Sequence, residues 1–380
     1  MLPVLLSLMI AFALTFTAIP VIIRMAVQLK LFDQPDARKL HERPVASLGG
    51  VGIFFGFFLS VLLGADFSAF PELQYFFAAA LVAFLVGLKD DVHGLSAAKK
   101  ILVQLVAAAI LIHRCGLRIN SMHGLFGIGE LPELAGLAIS YLTVLLIINA
   151  FNLVDGVDGL AASMSLLTSL VFGAYFLAAG LYTYALLAFA LAGSLAAFLL
   201  FNFEPARIFM GDSGALVLGL VNAFLVIRFI KVGADPYAAL PIPQVAAAGF
   251  SILALPLVDT LRMFTIRILK GRSPFSADRD HLHHLLLEHG LSHRKVTLCY
   301  LGLHLSFMLL AWTGRALGPN LLMLLIVAYA LLLLGLMVAI RRRKTVPEEP
   351  LRITEGARVV QMAAKSGRVR RLGGERVGEE

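Results

Sequence analysis

The chain is 380 residues long, 59% hydrophobic and only 15% charged, with a mean hydropathy of +0.87; that balance excludes a water-soluble globular fold and indicates a polytopic membrane protein. Its formal charge of +8 sits almost wholly in connecting segments and the C-terminal tail. No RNA- or DNA-binding motif accompanies it, so nucleic acid is excluded as a partner and anionic lipid and anionic substrates are favoured.

Eleven apolar runs are long enough to cross ~30 Å of hydrocarbon, at about 3–23, 49–64, 74–88, 101–117, 135–152, 159–180, 181–203, 213–231, 244–264, 296–314 and 321–340. The first lacks a basic n-region and has no small-residue cleavage site ahead of Arg24, so it reads as a retained helix and not a signal peptide. The nearly unbroken stretch 159–203 divides at Gly180. Cys115 and Cys299 both lie in apolar runs and read as packing or lipid-facing residues, without a disulfide framework. Residues 341–380 open on Arg341-Arg342-Arg343-Lys344 and form a separate basic tail, disordered or resting as a surface helix on anionic lipid.

Charge orients the runs. Arg24, Lys30, Arg38, Lys39 and Arg43 fill the first connection, and Lys89, Lys99 and Lys100 the third. Arg267, Lys270, Arg272, Arg279, Arg294 and Lys295 fill the connection near 265–295, whereas the opposite connections hold only Arg118 and Arg315. The positive-inside rule makes the first set cytoplasmic, with the N-terminus outside and the C-terminus inside. The expected fold is an all-α polytopic integral membrane protein of about eleven transmembrane helices, with a transmembrane domain over 1–340 and a cytoplasmic tail over 341–380.

On that topology the polar residues gather on the cytoplasmic face. Asp36, Arg38, Lys39 and His41 lie in the first loop; Lys89-Asp90-Asp91 follows the third helix; Lys99-Lys100 starts the fourth. Asn149 through Asp158 spans the loop between helices five and six, and Glu204 through Asp212 links seven and eight. Asp259, Arg262 and Arg267 begin the last long loop, which ends in Asp280-His281-Leu282-His283-His284. Ionisable groups at such a boundary are expensive, and mark sites by default.

Each element has a plainer alternative. Asp90-Asp91 fits a solvated pair, and on a helix adjacent side chains diverge by ~100°, so the two need not share a role. Phe209-Met210-Gly211-Asp212-Ser213-Gly214 fits either a turn with a helix cap or a backbone cradle for phosphate beside an Asp-held cation. The histidines fit solvated residues, a zinc site without its usual His-Glu-x-x-His pattern, or an anion grip flanked by Arg279. Together, carboxylates and carboxamides suit Mg²⁺, and Lys, Arg and His suit phosphate oxygens. That is the apparatus of phosphoryl transfer between a bilayer lipid and a cytosolic nucleotide.

Five motifs in order give the chain a resemblance to the polyprenyl-phosphate N-acetylhexosamine-1-phosphate transferases. They are Asp36-Ala37-Arg38-Lys39-Leu40-His41 with Gly49-Gly50, Asp90-Asp91, Asn149 through Gly159, Phe209-Met210-Gly211-Asp212, and Ser273-Pro274-Phe275-Ser276 ahead of Asp280 to His284. The last motif resembles the N-acetylglucosamine-1-phosphate (WecA/TagO-like) branch; the MraY translocases carry three consecutive histidines, where Leu282 intervenes here. The resemblance implies transfer of N-acetylglucosamine-1-phosphate from UDP-N-acetylglucosamine to undecaprenyl or another polyprenyl phosphate in the bacterial cytoplasmic membrane, with release of UMP. It also implies Mg²⁺ as cofactor, with Mn²⁺ as a substitute, and leaves a homodimer open. Asp212 and Asn152 would ligate the metal with Asp91 near it, and Phe209 would stack on uracil. Lys100, His281, His283 and His284 would neutralise the diphosphate, and Asp155 and Asp158 would line the nucleotide-sugar pocket. Asp90 would lie beside the lipid phosphate and Arg267 would support the last loop; Lys39, Asn149 and Arg279 complete the substrate-binding set.

Other UDP-N-acetylhexosamines and UDP-MurNAc-pentapeptide remain alternative donors. A secondary transporter would place its carboxylates near the bilayer midplane, often with internal repeats, and neither feature is present. The CDP-alcohol phosphotransferase motif needs an arginine that Asp158-Gly159-Leu160-Ala161-Ala162 lacks.

Overall fold

In a membrane every backbone polar group must be satisfied within its own segment, so the apolar runs can only become helices. The computed structural model, which describes residues 1–29, 32–33, 45–274 and 281–344, builds them as α1 (Leu2–Leu29), α2 (Gly49–Gly64), α3 (Glu72–His93), α4 (Ala97–Arg114), α5 (Glu133–Val154), α6 (Leu160–Ala178), α7 (Tyr182–Asn202), α8 (Gly211–Gly233), α9 (Val245–Ile252), α10 (Ala254–Leu269), α11 (Leu282–Glu288), α12 (His293–Thr313) and α13 (Pro319–Lys344). Each expected run falls on a helix, except that the ninth is broken at Leu253 into α9 and α10. Seven of the described helices are long and apolar enough to cross a membrane. The chain divides into two compact units, Met1–Leu333 and Leu334–Glu380.

Helix ends correct several of the expectations. Asp90 and Asp91 do not follow the third helix but lie in its last turn, and Asn149 and Asn152 lie within α5, leaving only 155–159 as the turn into α6. Asp259, Arg262 and Arg267 lie on α10, not in a loop. The physical reason is common to all three: hydropathy marks where hydrocarbon ends, whereas a helix continues into the interface as long as its own hydrogen bonds do. The split at 180 holds, with Gly180 at φ +74° between α6 and α7.

Lipid supplies no hydrophobic drive between helices, so close backbone approach and interhelical hydrogen bonds do that work. A Cβ at Gly193 of α7 would run into the Leu8 carbonyl oxygen of α1, and one at Gly219 of α8 would meet Ile148 Cα of α5 at 2.5 Å. Buried Asn222 of α8 accepts from Thr168 Oγ1 (2.6 Å) and donates to Ser165 Oγ (2.8 Å), joining α8 to α6. α8, buried along most of its length, is the hub against which α2, α3, α5 and α6 pack.

At the helix ends remote from Asp212, Arg228 of α8 pairs with Glu72 (3.4 Å) and donates to the Cys115 carbonyl (2.5 Å), while Tyr184 Oη donates to the same Glu72 carboxylate (2.9 Å). Counting charges in connecting loops does not see Arg228, because it sits inside a span and is neutralised there.

Candidate active site

Four helix ends meet around one carboxylate. Asp212 stands in the first turn of α8, next to Gly211, whose φ of +74° favours glycine. A Cβ at Gly211 would also run into the Ser47 carbonyl oxygen and meet both Asp91 carboxylate oxygens at 2.7 Å. The entry to α8 is clamped from the other side by a short ribbon. Phe32–Asp33 (β1) pairs antiparallel with Val45–Ala46 (β2), and Phe209 N–H donates to the Ala46 carbonyl (2.7 Å). Gly49 and Gly50 N–H then donate to the carbonyls of Phe209 (2.9 Å) and Met210 (2.7 Å).

Asp91 supplies the cap of α8. Its Oδ1 accepts from Asp212 N–H (2.7 Å) and its Oδ2 from Ser213 N–H (3.1 Å). A carboxylate at a helix N-terminus satisfies orphan donors and complements the dipole. The free N–H groups at the start of α8 are thus capped by neither Asp212 nor Ser213 but by a carboxylate of α3, 121 residues away, which leaves the Asp212 side chain turned toward Lys100 and Asn152.

Asp90, one residue earlier on α3, points elsewhere, as the helical offset requires. It accepts from Leu95 N–H and pairs with Lys100 Nζ, which also reaches Asp212 Oδ2 at 2.5 Å. Asp212 Oδ1 accepts from Asn152 Nδ2 at 2.6 Å. One ammonium thus holds two carboxylates from α3 and α8, with a carboxamide from α5 on the far oxygen.

The second cluster is the turn 155–159 and the last loop. Asp158, 6% exposed, lies 3.2 Å from His293 Nδ1, and its Oδ2 accepts from Ala206 N–H (3.2 Å). Gly156 is covered by His283, whose Nε2 would stand 2.9 Å from a Cβ placed there. His283 is buried, its ring 4.4 Å from that of His284 and stacked on His281 at 5.4 Å and 6°. Burial, then the neighbouring His284, His281 and His293, push His283 well below the usual histidine range. Asp155 ties the clusters together electrostatically: burial, then repulsion from Asp212, Asp91 and Asp158, push it well above the usual carboxylate range.

That surplus of negative charge is what a divalent cation would relieve. Among the described residues no three His, Cys, Asp or Glu side chains form a ready-made metal nest. The donors present are instead one or two carboxylates and a carboxamide, already drawn around a cationic ammonium. Mg²⁺ suits such a set, since it keeps several waters and takes substrate phosphates as ligands.

The structure therefore brings together Asp90, Asp91, Lys100, Asn152 and Asp212, with Asp155 within their electrostatic reach, and separately joins Asp158 and the histidine segment to the same turn. Phe209 is half-buried beside Asp212. Asn149 donates to Gln104 Oε1 (2.8 Å) and the Leu145 carbonyl (2.8 Å), and buried Arg267 donates to the Pro274 carbonyl (2.5 Å), bracing the last loop. Lys39 and Arg279 lie outside the described residues. Sequence reasoning missed Gln104, Asn202 and His293. Asn202 accepts from Gly159 N–H (2.9 Å) and donates to the Ile208 carbonyl (2.9 Å), locking the two loops together. Only the polarity of Gln104 and Asn202 amid apolar runs could have flagged them.

Comparison with known proteins agrees with this geometry. Residues 73–230 match the family model described as glycosyl transferase family 4. The chain is 32% identical over 278 residues, 72% of this chain and 75% of the relative, to "Probable undecaprenyl-phosphate N-acetylglucosaminyl 1-phosphate transferase" of Bacillus subtilis (strain 168). It is 28% identical to the undecaprenyl-phosphate alpha-N-acetylglucosaminyl 1-phosphate transferase of Yersinia pestis, covering 77% of this chain and 78% of that one. Identity is 32% to the decaprenyl-phosphate N-acetylglucosaminephosphotransferase of Mycobacterium tuberculosis (strain ATCC 25618 / H37Rv), covering 75% and 76%. With Asp90-Asp91, Asn152 and Asp212 converging inside the matched region, the chain belongs to glycosyl transferase family 4, among the polyprenyl-phosphate N-acetylhexosamine-1-phosphate transferases.

Proposed function

We propose that this protein transfers N-acetylglucosamine-1-phosphate from UDP-N-acetylglucosamine to a polyprenyl phosphate, undecaprenyl phosphate in a bacterial cytoplasmic membrane, giving polyprenyl-diphospho-N-acetylglucosamine and UMP. The observation that carries this reading is the Lys100 ammonium shared by Asp90 and Asp212, with Asn152 on the same carboxylate. In this reading the chain crosses the membrane eleven times, with an outer N-terminus and a cytoplasmic C-terminus with a basic tail over 341–380, and the cluster lies at the cytoplasmic interface. There a lipid phosphate and a soluble nucleotide can meet.

An oxygen of the lipid phosphate attacks the phosphorus that bears the sugar. The bond from that phosphorus to the bridging oxygen breaks, and UMP leaves with the electron pair. The second pKa of a phosphate monoester is ~6, so the nucleophile is already mostly a dianion at neutral pH. Asp90 then positions the lipid phosphate through Lys100 and has no proton to remove. Lys100, His281 and His284 neutralise charge spread over the diphosphate, while the neutral ring of His283 packs behind them, and positioning and electrostatics supply most of the catalysis. When bound, Mg²⁺ would be held by Asp212 and Asn152 and would neutralise the diphosphate oxygens. Asp91, assigned to the metal on resemblance, positions Asp212 from behind. Phe209 stacks on the uracil, Asp155 and Asp158 line the sugar side, and Arg267 braces the last loop.

The test is transfer of radiolabelled sugar phosphate into polyprenyl lipid by detergent-purified protein. Label appears in the lipid with wild type and disappears with EDTA or Asp212→Ala. Undiminished transfer by Asp212→Ala contradicts the assignment.

A further inference from the structure

α10 carries a buried carboxylate for which the reaction above has no role. Asp259 is 1% exposed and faces the start of α11. Its Oδ2 lies 3.3 Å from His281 Nδ1, and its Oδ1 accepts from Leu282 N–H at 3.3 Å and faces Arg262 Nη1 at 3.5 Å. Withdrawing a carboxylate from water costs several kcal/mol unless its partners compensate. Two of these three partners belong to the segment that opens α11, 22 residues further along the chain. A carboxylate used only to steady α10 would need neither.

We propose that Asp259 is a positioning residue that orients the His281 imidazole toward the diphosphate of the nucleotide sugar, an inference that rests on the transferase reading. An imidazolium that gives its Nδ1–H to a carboxylate has its ring plane set, and its Nε2–H remains available to donate to a phosphate oxygen. The other oxygen of Asp259 holds the backbone N–H of Leu282, an otherwise orphan donor of the first turn. One carboxylate therefore fixes both the helix start and the ring beside it. The frame behind it is firm, because α10 packs on α5, the helix that carries Asn152. The orientation also propagates: His281 stacks on His283, and His283 covers Gly156 in the turn between Asp155 and Asp158.

Asp259→Asn tests this with little change of volume. Its Oδ1 can still accept from Leu282 N–H, but its Nδ2 now donates to His281 Nδ1, which then cannot hold a proton, so the ring faces the diphosphate uncharged. The expected result is a loss of about 10- to 100-fold in kcat/KM for UDP-N-acetylglucosamine, the range seen when a group that orients a functional histidine is removed. Asp259→Asn/His281→Gln should be no slower than His281→Gln alone, because the aspartate acts through that ring. Amide hydrogen exchange over residues 281–289 of full-length protein, expected to speed up in Asp259→Asn, reads the same tether without turnover. Losses that multiply in the double variant, or unchanged exchange, overturn the inference. If Asp259→Asn does not fold, Asp259→Glu, which keeps the charge with a longer reach, is expected to show an intermediate loss that His281→Gln again masks. A wild type that transfers no sugar phosphate refutes the transferase reading, and the exchange result then decides the tether by itself.

Discussion

Gly87 of α3 sits one turn before the Asp90-Asp91 pair, directly against the start of α8. A Cβ there would lie 2.5 Å from each of three atoms, the Asp212 carbonyl oxygen, Ser213 Cα and Ser213 N. Carbon contacts settle near ~3.5–4.0 Å, so Gly87→Ala must open the α3–α8 contact by about 1 Å. All three neighbours are backbone, and no side chain can rotate aside. The opening stretches the Asp91 bonds to Asp212 and Ser213 N–H, now 2.7 and 3.1 Å, past hydrogen-bonding range. Overpacking of this kind costs ~1–3 kcal/mol, and the better helix propensity of alanine returns ~1 kcal/mol, leaving a net loss of about 0–2 kcal/mol. The larger effect is on rate, since a displacement of ~1 Å in a positioned group costs on the order of 100-fold. The assay is UMP release beside a thermal midpoint in detergent. Gly302→Ala on α12, where a Cβ meets nothing within 4 Å, serves as the control and should keep wild-type turnover with a midpoint at or above wild type. Wild-type turnover and midpoint in Gly87→Ala would refute the claim that this contact sets the position of Asp212.

Lys100→Met leaves Asp90 and Asp212 facing each other without their shared cation, and turnover should fall by on the order of 100-fold or more; near-normal UMP release would count against Lys100 as the bridging charge. His283 stays neutral in the folded state where the unfolded chain would already take up a proton, so stability should fall with pH below about 6.5, by up to ~1.4 kcal/mol per unit, with no such term above about pH 7. His283→Gln should flatten that acid limb in thermal scans, and an unchanged limb would assign it to other groups. Asn222→Leu strands Thr168 and Ser165 between α6 and α8, and should lower stability by about 1 kcal/mol with kcat unchanged, the site being ten residues and ~15 Å away along α8; a changed kcat would mean that the α6–α8 contact reaches the site.

Much of this was legible in the sequence because a membrane simplifies the problem. An apolar run has no alternative to helix, so the runs map onto helices, and uncompensated polar residues at their ends flag the site. What remained hidden is long-range pairing. Nothing local to Asp91 says that it caps α8, and nothing near Asp259 points to His281. Nothing local to Asn149 says that its amide donates to Gln104, 45 residues away. The break at Leu253 was equally silent, since both halves of the run are apolar. Helix ends were misjudged where charged residues continue a helix beyond the hydrocarbon, as at Asp90-Asp91 and along α10.

In the proposed reaction the Asp90–Lys100–Asp212–Asn152 cluster serves sugar-phosphate transfer to a lipid phosphate. UMP release by purified protein, supplied with polyprenyl phosphate, Mg²⁺ and either UDP-N-acetylglucosamine or UDP-MurNAc-pentapeptide, tests it most directly. UMP is expected from the first donor only, dependent on the lipid phosphate and lost in Asp212→Ala. Release from the second donor alone would move the chain to the translocase branch, and silence from both with folded protein would contradict the account.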